Sequence, residues 1–468
     1  MKVVIAGYGM AGARLARELG RRGVQVTVLG AETEPAYNRV LLPGLLAGTH
    51  AEEDLRLPAP PAHVELRLGE AVTHIDREAR EVDGIPYDAL VLATGAEAAL
   101  PPIPGLDPLP RTVTVFRSMA DCRDILAAAA GRRKAVVLGG GLLGLEAARG
   151  LAGRGMDVTV VHAAGHLMER QLDTVAGDLL ARTLAGLGVS VLTNVDVRGV
   201  EETNGEPGQA VRLRLGDGSH IDGDLLVVAC GVRPRTALAT TAGLAVGSGI
   251  VIDERCATTD PDIYAIGDCA EFEGQNLGLV APAWEQADVV ARNLTGTPAA
   301  YRGVRPVTRL KAGGIDLAAM GSLDGEEVVS YADPARGTYV RLVIDADRLS
   351  GAVLLGDNPT TGQVTQLFDA DDPVPADRRT LLLGRAFGEP LIPATPAAQP
   401  DDAVVCRCNT VHKGALVRAY AKGSRTPAEL SRATLAATGC GGCAGDVAAI
   451  CGWLRESRPS GDLAEVAA

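Results

Sequence analysis

The chain has 468 residues, 47% of them hydrophobic and 22% charged, with a formal net charge of −13 at pH 7. That much apolar material builds two or three cores rather than one, and the acidic balance excludes the basic face that nucleic-acid binding needs. No stretch reaches the roughly 18 uninterrupted apolar residues of a membrane span, and no basic leader precedes the first strand, so a cytoplasmic protein with neither a nucleic-acid nor a membrane partner is expected.

In chain order, the strand "KVVIAG" leads into Gly7-Tyr8-Gly9-Met10-Ala11-Gly12, and the next residues carry Leu15, Ala16 and Leu19 at helical spacing. A second strand, "VQVTVLG", ends shortly before Glu32. Gly7, Gly9 and Gly12 would let the backbone approach a pyrophosphate at the helix start, and Glu32 lies where a ribose hydroxyl acceptor belongs. The pattern recurs: "KAVVL" precedes Gly139, Gly141 and Gly144, a helix follows, and "MDVTVVH" supplies the next strand, ending in His162. Two such units imply two dinucleotides, most often a flavin and a nicotinamide held face to face.

Three further apolar strands end in glycine turns: "DALVLATGA" with Thr94 and Gly95, "DLLVVACGVRP", and "IYAIGDCAE". In the last, Asp268 sits at the strand's carboxyl end, where it could accept hydrogen bonds from a ribityl chain. The expected fold is therefore α/β with two Rossmann-like dinucleotide-binding domains, the second inserted in the first, an α+β third domain and a small helical domain. The boundaries read as 1–112 with 235–300 for the flavin domain, 113–234 for the nicotinamide domain, and 301–385 for a third domain with alternating, antiparallel strands. Residues 386–402, rich in Pro and Ala, read as a linker, 403–458 as a separate cysteine unit and 459–468 as a tail.

In that last unit Cys406 and Cys408 are followed, 31 residues on, by Cys440 and Cys443. Four thiolates in two close pairs indicate a metal site. A zinc knuckle is one reading, although C-x-C is less usual there than C-x-x-C, and a disulfide suits a reducing cytoplasm poorly. An iron–sulfur cluster fits better because a flavin gives it a use, taking a hydride and releasing electrons singly to a one-electron carrier. "RTPAEL" carries a Thr cap, a first-turn Pro and a Glu behind it, and "GDVAAICGWL" starts a helix directly after Cys443. Gly439, Gly441, Gly442 and Gly445 would let the chain wrap closely around an anionic cluster. The other cysteines, Cys122, Cys230, Cys256, Cys269 and Cys451, lack partner spacing and read mostly as small buried hydrophobes.

The stretches "YNRVLLPGLLAG", "GGGLLGLEAARGLAGRGMDVTVVH", "HLMERQLD", "LVAPAWEQA" and "RLKAGGIDLAAMG" resemble the flavoprotein half of NADH-dependent assimilatory nitrite reductases and the related electron-transfer subunits of assimilatory nitrate reductases. "CRCN" through "GCGGC" resembles the bacterioferritin-associated-ferredoxin type of 2Fe-2S domain. The resemblance implies FAD at Gly7, Gly9, Gly12, Glu32, Arg39 and Asp268, and NAD(P)H, with NADH favoured, at Gly139, Gly141, Gly144 and Glu146. It implies a 2Fe-2S cluster on the four cysteines and makes Glu146 and Arg39 the candidate catalytic residues. The implied partner is a separate molybdenum nitrate reductase catalytic subunit, or a separate nitrite reductase, since the sirohaem half of the large nitrite reductases does not follow; a homodimer is left open. Pro43 stands where many relatives have Ser, so a contact from that hydroxyl is lost.

Thiol chemistry at the flavin is disfavoured because "YNRVLLPGLLAG" holds no cysteine. A dioxygenase ferredoxin reductase is disfavoured because the chain has only two Trp. The remaining rivals are a reductase of ferredoxin- or rubredoxin-type carriers, the FAD and 2Fe-2S subunit of an amine-type dehydrogenase, and a non-enzymatic redox sensor.

Overall fold

Five parallel strands, Ile263–Ala265, Ala89–Leu92, Lys2–Ala6, Gln25–Gly30 and Glu65–Leu68 in that spatial order, form the first sheet of the computed structural model. The structure describes residues 1–203, 210–310, 312–383, 397, 399–439 and 441–457. Cys440, residues 386–396 and 398 of the linker, and the 459–468 tail lie outside the described residues. The inner strands are apolar throughout because helices cover both faces of a parallel sheet. Met10–Arg21 is one of these helices, and its Leu15, Ala16 and Leu19 are fully buried.

The second sheet repeats the plan with Val113–Val115, Leu225–Val228, Lys134–Leu138, Asp157–Val161 and Val189–Leu192, again all parallel. Its edge strand Val113–Val115 precedes the glycine motif, whereas in the first sheet the equivalent strand, Ile263–Ala265, comes last. The two crossings between domains run side by side as an antiparallel pair, Ala96–Ala98 with Val232–Pro234. The chain thus leaves the first domain, builds the second, and returns along its own path.

A five-stranded antiparallel sheet follows, ordered Val307–Arg309, Leu317–Gly321, Arg348–Leu355, Thr338–Asp345, Glu327–Asp333. Alternation along its strands separates two faces. Leu317, Ala319, Tyr339 and Val353 join the core of the second domain, while Ala318, Met320, Val340 and Leu354 pack with Phe368 of the helix Thr361–Ala370. The last unit is a short hairpin, Val404–Cys406 with Val411–His412, and three helices, Lys413–Ala421, Pro427–Thr434 and Ala444–Ser457. Thr426 and Glu429 form the capping box of the second helix, as "RTPAEL" predicts.

Among the described residues no helix is long and apolar enough to cross a membrane. Phe368 is 1% exposed, and the Arg305 guanidinium lies 4.0 Å from its ring centroid. Phe368→Ala is expected to remove about 3–5 kcal/mol from the third domain, measured as a lower urea midpoint; an unchanged midpoint contradicts this packing.

Candidate functional site

The two glycine motifs are built alike, at a constant offset that carries Gly7 to Gly139, Gly9 to Gly141 and Gly12 to Gly144. A Cβ on Gly12 would stand 2.1 Å from the Gly7 carbonyl oxygen, and one on Gly144 would stand 2.1 Å from that of Gly139. These glycines close the helix onto the turn. Gly7 and Gly139 have φ of +114° and +120°, where a side chain would also strike the carbonyl of Ala93 or Ala229. Gly9 and Gly141 are different: a Cβ on either meets nothing within 4 Å, and neither helix start carries a side-chain cap. Each middle glycine therefore leaves an open cradle in front of free backbone N–H groups, which is what a pyrophosphate requires.

Both cradles open into one cleft of about 3040 Å³. Gly7, Gly9, Glu32, Arg39, Thr94, Gly95 and Asp268 line its first part, and Gly139, Gly141, Glu146 and His162 its second. Glu146 is buried on the helix Leu142–Gly153. Thr94 donates from its hydroxyl to the Arg235 carbonyl at 2.9 Å, so it also ties the first domain to the returning crossing. Arg39 pairs with Glu32, whose other oxygen accepts from the Tyr37 hydroxyl at 2.7 Å. Tyr37 accepts in turn from the Met119 amide at 2.9 Å, and burial pushes its phenol above the usual tyrosine range. Arg39 stands over the Tyr37 ring at 4.8 Å. The two residues singled out separately in the sequence thus form one unit at the end of the second strand.

Asp268 pairs with Arg117, which sequence reasoning did not single out because 151 positions separate them. The buried Arg117 Nε has no hydrogen-bond partner in the chain, as suits a donor set aside for an anionic ligand. Pro43 starts the short helix Leu42–Ala47, where its missing N–H costs nothing.

The cysteine unit faces the same cleft through Cys408 and Gly442. Cys406 and Cys443 are buried in its core, with Cys408 packed against it. A hydrogen bond from the Cys443 side chain is the largest of the influences that hold the Cys406 thiol below its usual range, favouring the thiolate that binds metal. Among the described residues no group of three His, Cys, Asp or Glu stands at metal-holding spacing, Cys440 being outside them. A Cβ on Gly439 would stand 2.8 Å from both Cys408 and Trp284, and Gly441 has φ +75°, so both positions require glycine. Gly445 faces open space.

Three side chains of the first domain hold the cysteine unit. Asn38, 2% exposed, donates to the carbonyl oxygens of Thr438, at 2.8 Å, and Gly439. Arg14 donates to Asn409 Oδ1 at 3.1 Å. Trp284 lies against Gly439 and donates to the Met10 carbonyl at 3.1 Å, at the first residue of the flavin-domain helix. Arg407, half-buried, pairs with Asp369, and the buried Lys413 stands 4.7 Å over the Trp453 ring. Cys230 departs from the small-hydrophobe reading, being exposed on the cleft wall, because its strand ends in a turn that opens there. Cys122, Cys256, Cys269 and Cys451 are buried.

Two dinucleotide cradles and a thiolate loop on one cleft define an oxidoreductase that handles two nucleotides. Residues 1–287 match the pyridine nucleotide-disulphide oxidoreductase family, 306–369 the rubredoxin NAD+ reductase C-terminal domain, and 404–452 the BFD-like [2Fe-2S] binding domain. Among curated proteins the chain is 37% identical over 459 residues to a nitrite reductase [NAD(P)H] of Bacillus subtilis, covering 94% of this chain and 56% of that one. It is 35% identical to the assimilatory nitrate reductase electron transfer subunit of the same organism, covering 94% of this chain and 58% of that one. The chain therefore spans somewhat under three-fifths of the length of these relatives. Among solved structures, the covalent putidaredoxin reductase–putidaredoxin complex is similar at 28% identity and a TM-score of 0.74, over 84% of this chain and 96% of that one. The chain belongs to the pyridine nucleotide-disulphide oxidoreductase family. Its cofactors are FAD, NAD(P)H and a 2Fe-2S cluster.

Gly9→Val is expected to fold, since its Cβ meets nothing and its φ of −78° suits any residue. It should purify without the yellow colour of bound flavin, read from the visible spectrum and a thermal melt; full flavin content would refute the cradle.

Proposed function

We propose that the protein takes a hydride from NADH and delivers single electrons to a separate molybdenum nitrate reductase catalytic subunit, in the cytoplasm where NADH is formed. When bound, the FAD supplies the conversion from two-electron to one-electron chemistry and the cluster supplies the one-electron exit.

The observation that carries this reading is the docking of the thiolate loop beside the flavin cradle. Asn38, held by its own cap bond to the Val40 amide at 3.1 Å, fixes the loop carbonyls, and Trp284 fills the space between that loop and Met10. Glu32, Tyr37 and Arg39 hold the ribose end of the first nucleotide, while Arg117 and Asp268 face the ribityl and phosphate portion. Gly9 and Gly141 give the backbone donors that bind the two pyrophosphates. Glu146, buried between the cradles, orients the nicotinamide, and with Arg39 it is the residue assigned to the catalytic step. Cys406, Cys408, Cys440 and Cys443 are the ligand set. Together these residues would position two nucleotides and one loop on a single cleft.

The name of the 35%-identical relative, an electron transfer subunit, supports a separate catalytic partner. A separate nitrite reductase is the second reading, favoured by the name of the 37%-identical relative.

Cys406→Ser is expected to leave the bleaching of flavin by NADH intact and to abolish NADH-driven nitrate reduction when the purified nitrate reductase catalytic subunit is added. Nitrate turnover that survives the substitution would refute the route. Turnover of nitrite reductase in place of nitrate reductase would establish the second reading.

A further inference from the structure

The second cradle lacks the acid that the first one has. The offset that superposes the glycines brings Glu32 onto Ala164, so no carboxylate follows the strand Asp157–Val161 at the position where the first domain places one. The same offset carries Tyr8 to Gly140 and Gly30 to His162, exchanging large for small at two touching positions. In the first domain a Cβ on Gly30 would stand 3.1 Å from that of Tyr8; in the second, a Cβ on Gly140 would stand 2.7 Å from His162 Cγ. His162 therefore turns inward over Gly140 and is 8% exposed.

Its ring has only one arrangement of protons. The Gly140 amide donates to Nδ1 at 3.1 Å, so Nδ1 is the acceptor and the proton resides on Nε2. That N–H faces Glu169 Oε2 at 3.0 Å and donates to it. Glu169, from the loop after the strand, has a side chain 40% exposed and lines the cleft beside Gly140 and Gly141. We infer that Glu169, oriented by His162, replaces the missing strand-end acid, accepts the adenosine ribose 2′-hydroxyl of the nicotinamide nucleotide, and selects NADH over NADPH.

The inference rests on the reading that the second cradle takes the nicotinamide nucleotide. A dinucleotide with its pyrophosphate at Gly141 extends its adenosine along the strand end, where an acid reads the 2′-hydroxyl and an Arg would read a 2′-phosphate. Arg170 and Asp196 line the same cleft, Asp196 already paired with Arg198, so Glu169 is the carboxylate that a 2′-phosphate there would meet. Loss of a hydrogen bond to a charged group weakens binding by about tenfold or more. His162 acts through Glu169 and is a positioning residue.

The test compares wild type, Glu169→Gln and His162→Gln by two measurements. Calorimetry with ADP-ribose and 2′-phospho-ADP-ribose needs no turnover; flavin bleaching by NADH and NADPH gives kcat/KM for each. Wild type should bind ADP-ribose more tightly and prefer NADH, and Glu169→Gln should lower that preference by about tenfold. His162→Gln should lower it in the same direction. A preference unchanged by Glu169→Gln, or a wild type that prefers the 2′-phosphorylated ligand, overturns the inference. Selective ADP-ribose binding without any bleaching of flavin would support Glu169 and instead refute the hydride-transfer reading.

Discussion

The rest of the molecule depends on the grip of Asn38 and Trp284 on the loop around Gly439. A cluster domain joined to its flavoprotein through a Pro- and Ala-rich segment gains nothing from mere attachment, because one-electron transfer needs the two redox groups held close. Asn38 is buried, so both of its loop-directed hydrogen bonds stand in place of bonds to water, and leaving either loop carbonyl unpaired would cost about 1–3 kcal/mol. Only glycine fits at 439, since a side chain there would collide with Trp284 and with Cys408 together.

That grip is coupled to the nucleotide site by adjacency. Tyr37 and Arg39, on either side of Asn38, both engage Glu32. Trp284 bonds the first residue of the helix whose N-terminus forms the first cradle, and Arg14, one turn further along that helix, reaches Asn409. Asn409 in turn donates to the Leu435 carbonyl at 2.6 Å inside the cysteine unit. Residues 37–39 and 10–14 thus touch Glu32, the helix start and the cysteine loop within a few positions. The half-buried Arg407–Asp369 pair adds a second tether, to the third domain. Burial raises the Asp369 carboxyl and lowers the Arg407 guanidinium, so this pair fixes orientation more than it stabilises.

Much of this was legible in the sequence. The duplicated glycine motifs, the resumed first sheet, the antiparallel third domain and the capped helices of the cysteine unit all follow from local constraints: a close crossing, a parallel core, a period of two, a capping box. The cleft lining was legible where a residue reaches it through its own turn, as at Glu32 and Gly9. It was not legible where the partner comes from far along the chain. Arg117 has no local mark, since Asp268 alone gives it meaning. Asn38 reads as an ordinary polar neighbour of Arg39 until residues 400 positions away bury it. Lys413 has no local mark of its burial, because cover by an aromatic ring leaves no trace in composition. Nothing in the sequence marks the pairing of His162 with Glu169, which only the fold shows.

The most direct test of the account is anaerobic stopped-flow mixing of the protein with NADH, following the flavin and cluster bands separately in wild type and in Asn38→Ala. The account predicts that flavin bleaches at the same rate in both, while the cluster phase slows by about tenfold in the variant, equivalent to about 1.4 kcal/mol of lost docking. A cluster phase of equal rate in the two proteins, or cluster bleaching that precedes the flavin's, would contradict it.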